Sequence, residues 1–280
     1  MNDCGSLRFI EVSQEFRSHL LSLGPWSDAL KLGLVSEHDA FSIPEGVTRV
    51  VVVTAHPDDV DFGAGGTTAK LTAAGISVTY CVCTDGDAGG FDDATDRSAI
   101  PGIRRAEQTA AAAACDVTDV RFLGYKDGYL EPTHDVQRDI VRVLRQVQPQ
   151  LVITQNPERN WDRLPAAHPD HMNAGEATVR ALYPAVRNPY AYPELRNDEG
   201  LEAWTVSWLW LNTNLNANHW IDVTDTFDRK LAALQAHVSQ TSHLDDLEGM
   251  LREWGTMQAE IAGLPKGRLA ESFREIKLPD

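Results

Sequence analysis

The fold class predicted by the sequence is an open, mostly parallel α/β sheet, Rossmann-like in layout, with helices on both faces. Three observations predict it. From Thr48 onward, short apolar runs of strand composition alternate with helix-like segments, the order that builds parallel sheets. The runs are apolar without interruption, as in strands buried on both faces. Two polar clusters, AHPDDVD at 55–61 and HPDH at 168–171, follow such runs, and ligands in this architecture bind beyond the carboxyl ends of the strands.

The elements follow in chain order. TRVVVVTA reads as the first strand, and GAGGTTAKLTAAG as a small-residue helix closed by Gly75. ISVTYCVCT is the second strand, with Cys81 and Cys83 on one face as small core residues. PGIRRAEQTAAAAACD is a helix with Pro101 near its start, and VRFLG is a short strand. A helix is expected from about Asp135 to Gln148, ended by Pro149. LVIT is the next strand, and DHMNAGEATVRALY the helix after the second cluster. AWTVSWLWLNT at 203–213 and HWIDVTD read as strands, and TFDRKLAALQAHVSQ as one helix. Trp204, Trp208 and Trp210 suit core packing, with a sugar-stacking platform as the competing reading. The first forty-odd residues show a helical pattern around VSQEFRSHLLSL and no interpretable motif. The expected organisation is an N-terminal extension over 1–45 and one catalytic domain over 46–280.

Composition narrows the partners. Against 41 acidic residues stand 25 basic ones, for a net charge of -16. Such a surface repels phosphate backbones and anionic membranes, so neither nucleic acid nor membrane is an expected partner. No apolar run reaches the roughly 18 residues of a membrane span, the N-terminus lacks a signal-peptide pattern, and the four cysteines show no paired spacing. A cytoplasmic protein is expected, and a homo-oligomer is admitted.

The two His-Pro-Asp clusters have the residue types of a catalytic metal site, which takes three His or carboxylate ligands and leaves a position for water. His56 and Asp59, three apart behind a strand, can turn toward one ion, and His171 can supply a third ligand. Asp58 and His168 then remain for acid–base work, and Asp170 for orienting His168. The competing reading gives Asp58 or Asp59 a helix-capping role, and Pro169 with Asp170 an ordinary helix start.

At these residues the sequence resembles the PIG-L, or LmbE-like, family of metal-dependent N-acetylglucosaminyl deacetylases. Weaker similarity extends through CTDGDAGG, IRRAEQTAAAAACDV, FLGYKDG and KLAALQAHVSQ, so the resemblance covers about Thr48 to Gln240. It implies an LmbE-like fold, metal ligands at His56, Asp59 and His171, a general base at Asp58 and a catalytic histidine at His168. It also implies contacts to sugar hydroxyls from Arg104 and Asp127; for Arg104 the alternative is a helix-surface ion pair with Glu107 or Gln108. Two departures stand out: Asp61 occupies a position where the family usually has Glu, and Ala166 and Ala167 replace a Tyr-Gly pair of the mycothiol-pathway members.

The implied activity is that of a zinc-dependent hydrolase that removes an N-acetyl group from a small GlcNAc-containing molecule by attack of metal-bound hydroxide. Iron(II) or another divalent metal suits the same ligands. An amidase or deacylase acting on a mycothiol conjugate or a secondary metabolite is the alternative within the family. A non-catalytic metal-binding protein, or a nucleotide-binding module suggested by GAGG at 63–66, is the alternative of another class.

Overall fold

The computed structural model describes residues 42–90, 95–162, 164, 167–212 and 216–279. The helical pattern around VSQEFRSHLLSL, Cys4, Ala166 and most of the expected N-terminal extension lie outside them.

Seven strands form one sheet: β1 (Arg49–Thr54), β2 (Ser77–Thr84), β3 (Asp119–Tyr125), β4 (Leu151–Gln155), β5 (Trp208–Asn212), β6 (His219–Asp222) and β7 (Ala270–Lys277). Their order is β3-β2-β1-β4-β5-β7-β6. The first five are parallel, while β7 runs antiparallel to both β5 and β6. Strands are added on one side of β1 up to β3, and the chain then returns to place β4 on the other side. The carboxyl ends of β1 and β4 therefore flank the topological switch point, where open α/β sheets bind ligands.

Alternation along the strands feeds two apolar layers. Val50, Val52, Tyr80, Leu151 and Ile153 face a layer built with α1 (Asp59–Ala73), α2 (Ile100–Ala114), α6 (Phe227–Ala236) and α8 (Leu247–Ile261). Val51, Val53, Cys81, Cys83 and Val152 face α3 (His134–Val147) and α4 (Pro169–Arg180). The two cysteines are core residues on one face, as expected, and burial pushes the Cys81 thiol up to about 12. Two short helices, α5 (Pro193–Asn197) and α7 (Val238–Thr241), complete the secondary structure used below.

Several boundaries differ from the sequence reading. Helix α1 begins at Asp59, so the first polar cluster is half loop and half helix, and the GAGG segment lies inside the helix. Its glycines are packing residues: a Cβ at Gly66 would come 2.7 Å from that of Val223. That removes the structural basis for a nucleotide-binding loop. Among the described residues of the segment 203–213 the strand is β5, and its tryptophans are structural. Trp210 is fully buried against Phe273 and His219, and Trp204 donates its indole N–H to Pro149 O at 2.7 Å. TFDRKLAALQAHVSQ breaks at His237 into α6 and α7. Helix α8 and strand β7 went unread, because β7 (AESFREIK) carries charges in a strand that depends on β5 and β6 for its pairing.

Candidate active site

The two clusters meet because β1 and β4 are neighbours. β1 ends at Thr54, the chain turns through His56, Pro57 and Asp58, and α1 starts at Asp59. A turn this tight forces Asp58 into the left-handed region, with φ 94° and ψ -27°, a conformation that costs a non-glycine residue about 1–3 kcal/mol. Across the switch point, His168 is the N-cap of α4 and Pro169 its first residue, which places Asp170 and His171 in the first turn. Beneath both, Gln155 at the end of β4 accepts the Ala55 N–H at 2.9 Å and so joins the two strand ends.

His56, Asp59 and His171 converge. His56 Nδ1 lies 3.2 Å from His171 Nε2 and 3.4 Å from Asp59 Oδ2, and His171 Nε2 lies 3.0 Å from Asp59 Oδ1. Asp59 Oδ2 also accepts the His56 N–H at 2.6 Å. Its carboxyl sits well below the ordinary range: burial acts against this but is outweighed by His171 and His56.

The other ring nitrogen of His56 is engaged from below. Nε2 lies 3.1 Å from Asp127 Oδ1 and 3.2 Å from Asp170 Oδ2. Burial works to lower the His56 pKa, yet these two carboxylates and Asp59 raise it well above the usual histidine value. With a cation bound, the carboxylates on Nε2 would hold a proton there and leave the Nδ1 lone pair for the ion, the arrangement that metal-ligating histidines use. The donor set thus fits a divalent cation. Ligand atoms of His56, His168 and His171 lie within 4.8 Å of one another, as do those of His56, Asp127 and Asp170.

Two expected contacts are corrected. Asp170 does not orient His168 with its carboxylate. From the first turn of α4 that side chain points inward, 1% exposed, to His56 and to the Gly128 N–H at 2.7 Å, while the Asp170 backbone N–H donates to His168 Nδ1 at 3.2 Å. Asp127, expected at sugar hydroxyls, is likewise turned inward to His56, its backbone N–H held by Asp87 Oδ1 at 2.8 Å. With Nδ1 of His168 accepting, its neutral ring carries the proton on Nε2. Burial and then the neighbouring His56 and His171 lower its pKa, which favours that neutral form.

Arg104 does not form the expected surface pair and is turned inward. It is 3% exposed and donates to Pro57 O, to Gly86 O at 3.2 Å and to Asp58 Oδ2 at 3.0 Å. Burial raises the Asp58 pKa; Arg104 opposes this and the charge on Asp59 adds to it. Gln108, expected only as a surface partner of Arg104, lies one helical turn beyond it on the buried face of α2 and belongs to the site. Its Oε1 accepts the Asp58 N–H at 2.8 Å, and its Nε2 donates to Asp61 Oδ2 at 2.9 Å. The i, i+4 spacing of two long polar residues was the available signal.

Comparison with known proteins gives the family. Residues 51–182 match the GlcNAc-PI de-N-acetylase (PIG-L) family. The chain is 34% identical over 214 residues to a probable N-acetyl-alpha-D-glucosaminyl L-malate deacetylase 2 of Bacillus cereus, covering 73% of this chain and 89% of that protein. It is 29% identical over 197 residues to the diacetylchitobiose deacetylase of Thermococcus kodakarensis, covering 69% of this chain and 70% of the relative. Among solved structures, the N,N'-diacetylchitobiose deacetylase of Pyrococcus horikoshii in complex with an inhibitor superimposes with a TM-score of 0.77 at 26% identity, covering 96% of this chain and 95% of the other. The chain belongs to the PIG-L, or GlcNAc-PI de-N-acetylase, family.

Proposed function

We propose that this protein is a metal-dependent N-deacetylase that hydrolyses the acetamido group of a small GlcNAc-containing molecule. The observation that carries the reading is the convergence of His56 Nδ1, His171 Nε2 and the Asp59 carboxylate beside Asp58. The names of the relatives supply the substrate class: deacetylases of diacetylchitobiose and of a glucosaminyl malate. In this reading His56, Asp59 and His171 hold a divalent ion, zinc by ligand type, with iron(II) the main competitor. Such an ion acidifies water to a pKa near 7 and polarises a carbonyl.

This chain's own residues do the rest. Asp58 accepts a proton from the attacking water, and its raised pKa suits it to hold that proton until the amine nitrogen leaves with it. His168, neutral and protonated on Nε2, donates a hydrogen bond to the carbonyl oxygen as negative charge develops there. Asp127 and Asp170 fix the His56 ring, and Arg104 fixes the Asp58 carboxylate. Residues 46–280 constitute the catalytic domain. No helix among the described residues is long and apolar enough to cross a membrane, which is compatible with a cytoplasmic enzyme.

The test is release of acetate and free amine from N-acetylglucosamine, diacetylchitobiose and N-acetylglucosaminides with acidic aglycones, before and after chelation and with zinc or iron(II) restored. Metal-dependent release is expected from at least one of them. Metal binding without release from any member of the panel overturns the proposed substrate class.

A further inference from the structure

We propose that Gln108, anchored by the buried Asp61–His237 pair, is a positioning residue that holds the Asp58 backbone in its left-handed conformation and so aims the Asp58 carboxylate. The inference rests on the reading of Asp58 as the base.

A strained residue persists only where its surroundings over-determine it. Around Asp58 three contacts do so. Asp58 O accepts the N–H groups of Asp61 and Phe62 at 2.9 and 3.0 Å, Arg104 holds the carboxylate, and Gln108 Oε1 accepts the Asp58 N–H. The first is an ordinary helix start. Two side chains of α2 reach the peptide unit between Pro57 and Asp58: Arg104, which also holds the side chain, donates to its carbonyl, Pro57 O, and Gln108 accepts its N–H.

The polarity of the Gln108 amide is dictated from its far end. Asp61 Oδ2 accepts from Gln108 Nε2 at 2.9 Å and faces His237 Nε2 at 2.8 Å. Facing a carboxylate, Gln108 must present its NH2 there and its carbonyl to Asp58. Gln108, Asp61 and His237 are each 0% exposed, so no water substitutes for a lost partner without rearrangement. The strut runs from the α6–α7 break through α2 to the β1–α1 turn without touching His56 or His171. This connection also gives Asp61 its place in the site: its shorter side chain meets His237 directly.

Replacing Gln108 by Met retains the volume and removes both hydrogen bonds. The expected result is unchanged metal stoichiometry, KM within about 3-fold and kcat lower by about 100-fold, the scale of an ångström-level misplacement. A merely structural role lowers the melting temperature without this split. Q108E alone sets a carboxylate against Asp61 and is expected to be at least as impaired. Q108E/D61N reverses the polarity of the pairing. The introduced amide nitrogen, in the place of Asp61 Oδ2, donates one hydrogen to the introduced carboxylate and the other to His237 Nε2, whose neutral ring then carries its proton on Nδ1. Its kcat is expected within about 5-fold of the parent, and this pair carries the test if Q108M does not fold. Parental kcat in Q108M, or a folded, metal-loaded Q108E/D61N no faster than Q108E, overturns the proposal. D58N assayed in parallel separates the two levels. If D58N keeps full turnover, the base assignment itself fails; if D58N is inactive and Q108M is not, only the strut fails.

Discussion

His237 Nε2 lies 2.8 Å from Asp61 Oδ2, with both side chains fully excluded from solvent, at the break that separates α6 from α7. Burial lowers the His237 pKa, but the Asp61 contact and charge outweigh it and raise the pKa above the usual value. A histidine whose pKa is raised by folding binds its proton more tightly in the folded state. Its stabilisation is fully present below about 6.5, the unfolded value, and is lost as pH rises through the folded value. Urea midpoints are therefore expected to fall as pH rises above about 6.5. His237→Gln should flatten that dependence, and an unchanged slope in the variant would count against the assignment of this pair.

Asp58→Asn removes the proton acceptor and leaves the three candidate ligands in place. Metal content by elemental analysis should match the parent, while kcat falls by about 100- to 10,000-fold.

His171→Ala acts differently, because His171 Nε2 is one of the three converging donor atoms. The purified variant should carry less than one-tenth of the parental metal, and added zinc should restore little activity. Stoichiometric zinc in that variant would place the ion elsewhere among the histidines.

Arg104 opposes the effect of burial on Asp58. Replacing Arg104 by Met removes that opposition, so the Asp58 pKa should rise further. The acid limb of the kcat/KM profile is then expected to move to higher pH, with metal retained. A limb that stays in place would separate Arg104 from the titrating group.

Gly175 of α4 packs on the Gln155 carbonyl, which a Cβ would strike. Backbone cannot yield as a side-chain tip does, so Gly175→Ala should destabilise the protein by about 1–3 kcal/mol despite the better helix propensity of alanine. Because Gln155 Oε1 holds the Ala55 N–H next to His56, activity should fall as well. Thermal unfolding with a parallel assay measures both.

The parallel strands and the two polar clusters at their ends are legible in the linear chain. Uninterrupted apolar runs, helix-like segments between them and residues such as Pro169 act within a few positions of chain, and those effects survive in the linear pattern. The residue types that could hold an ion are legible there too. Tertiary structure decided what each of them touches. His56 and His171 are 115 positions apart and meet only because β4 is laid beside β1. The inward turn of Asp127 and Asp170 onto His56, the burial of Arg104 against Asp58 and the reach of Gln108 from Asp58 to Asp61 all depend on how α2, α4 and the loops pack over the strand ends. β7 was illegible for the same reason: its charged residues become a strand only between β5 and β6, where Trp210 and Lys230 give two of its glutamates partners. Side-chain direction at a buried site is set by partners distant in sequence, and no local periodicity encodes them.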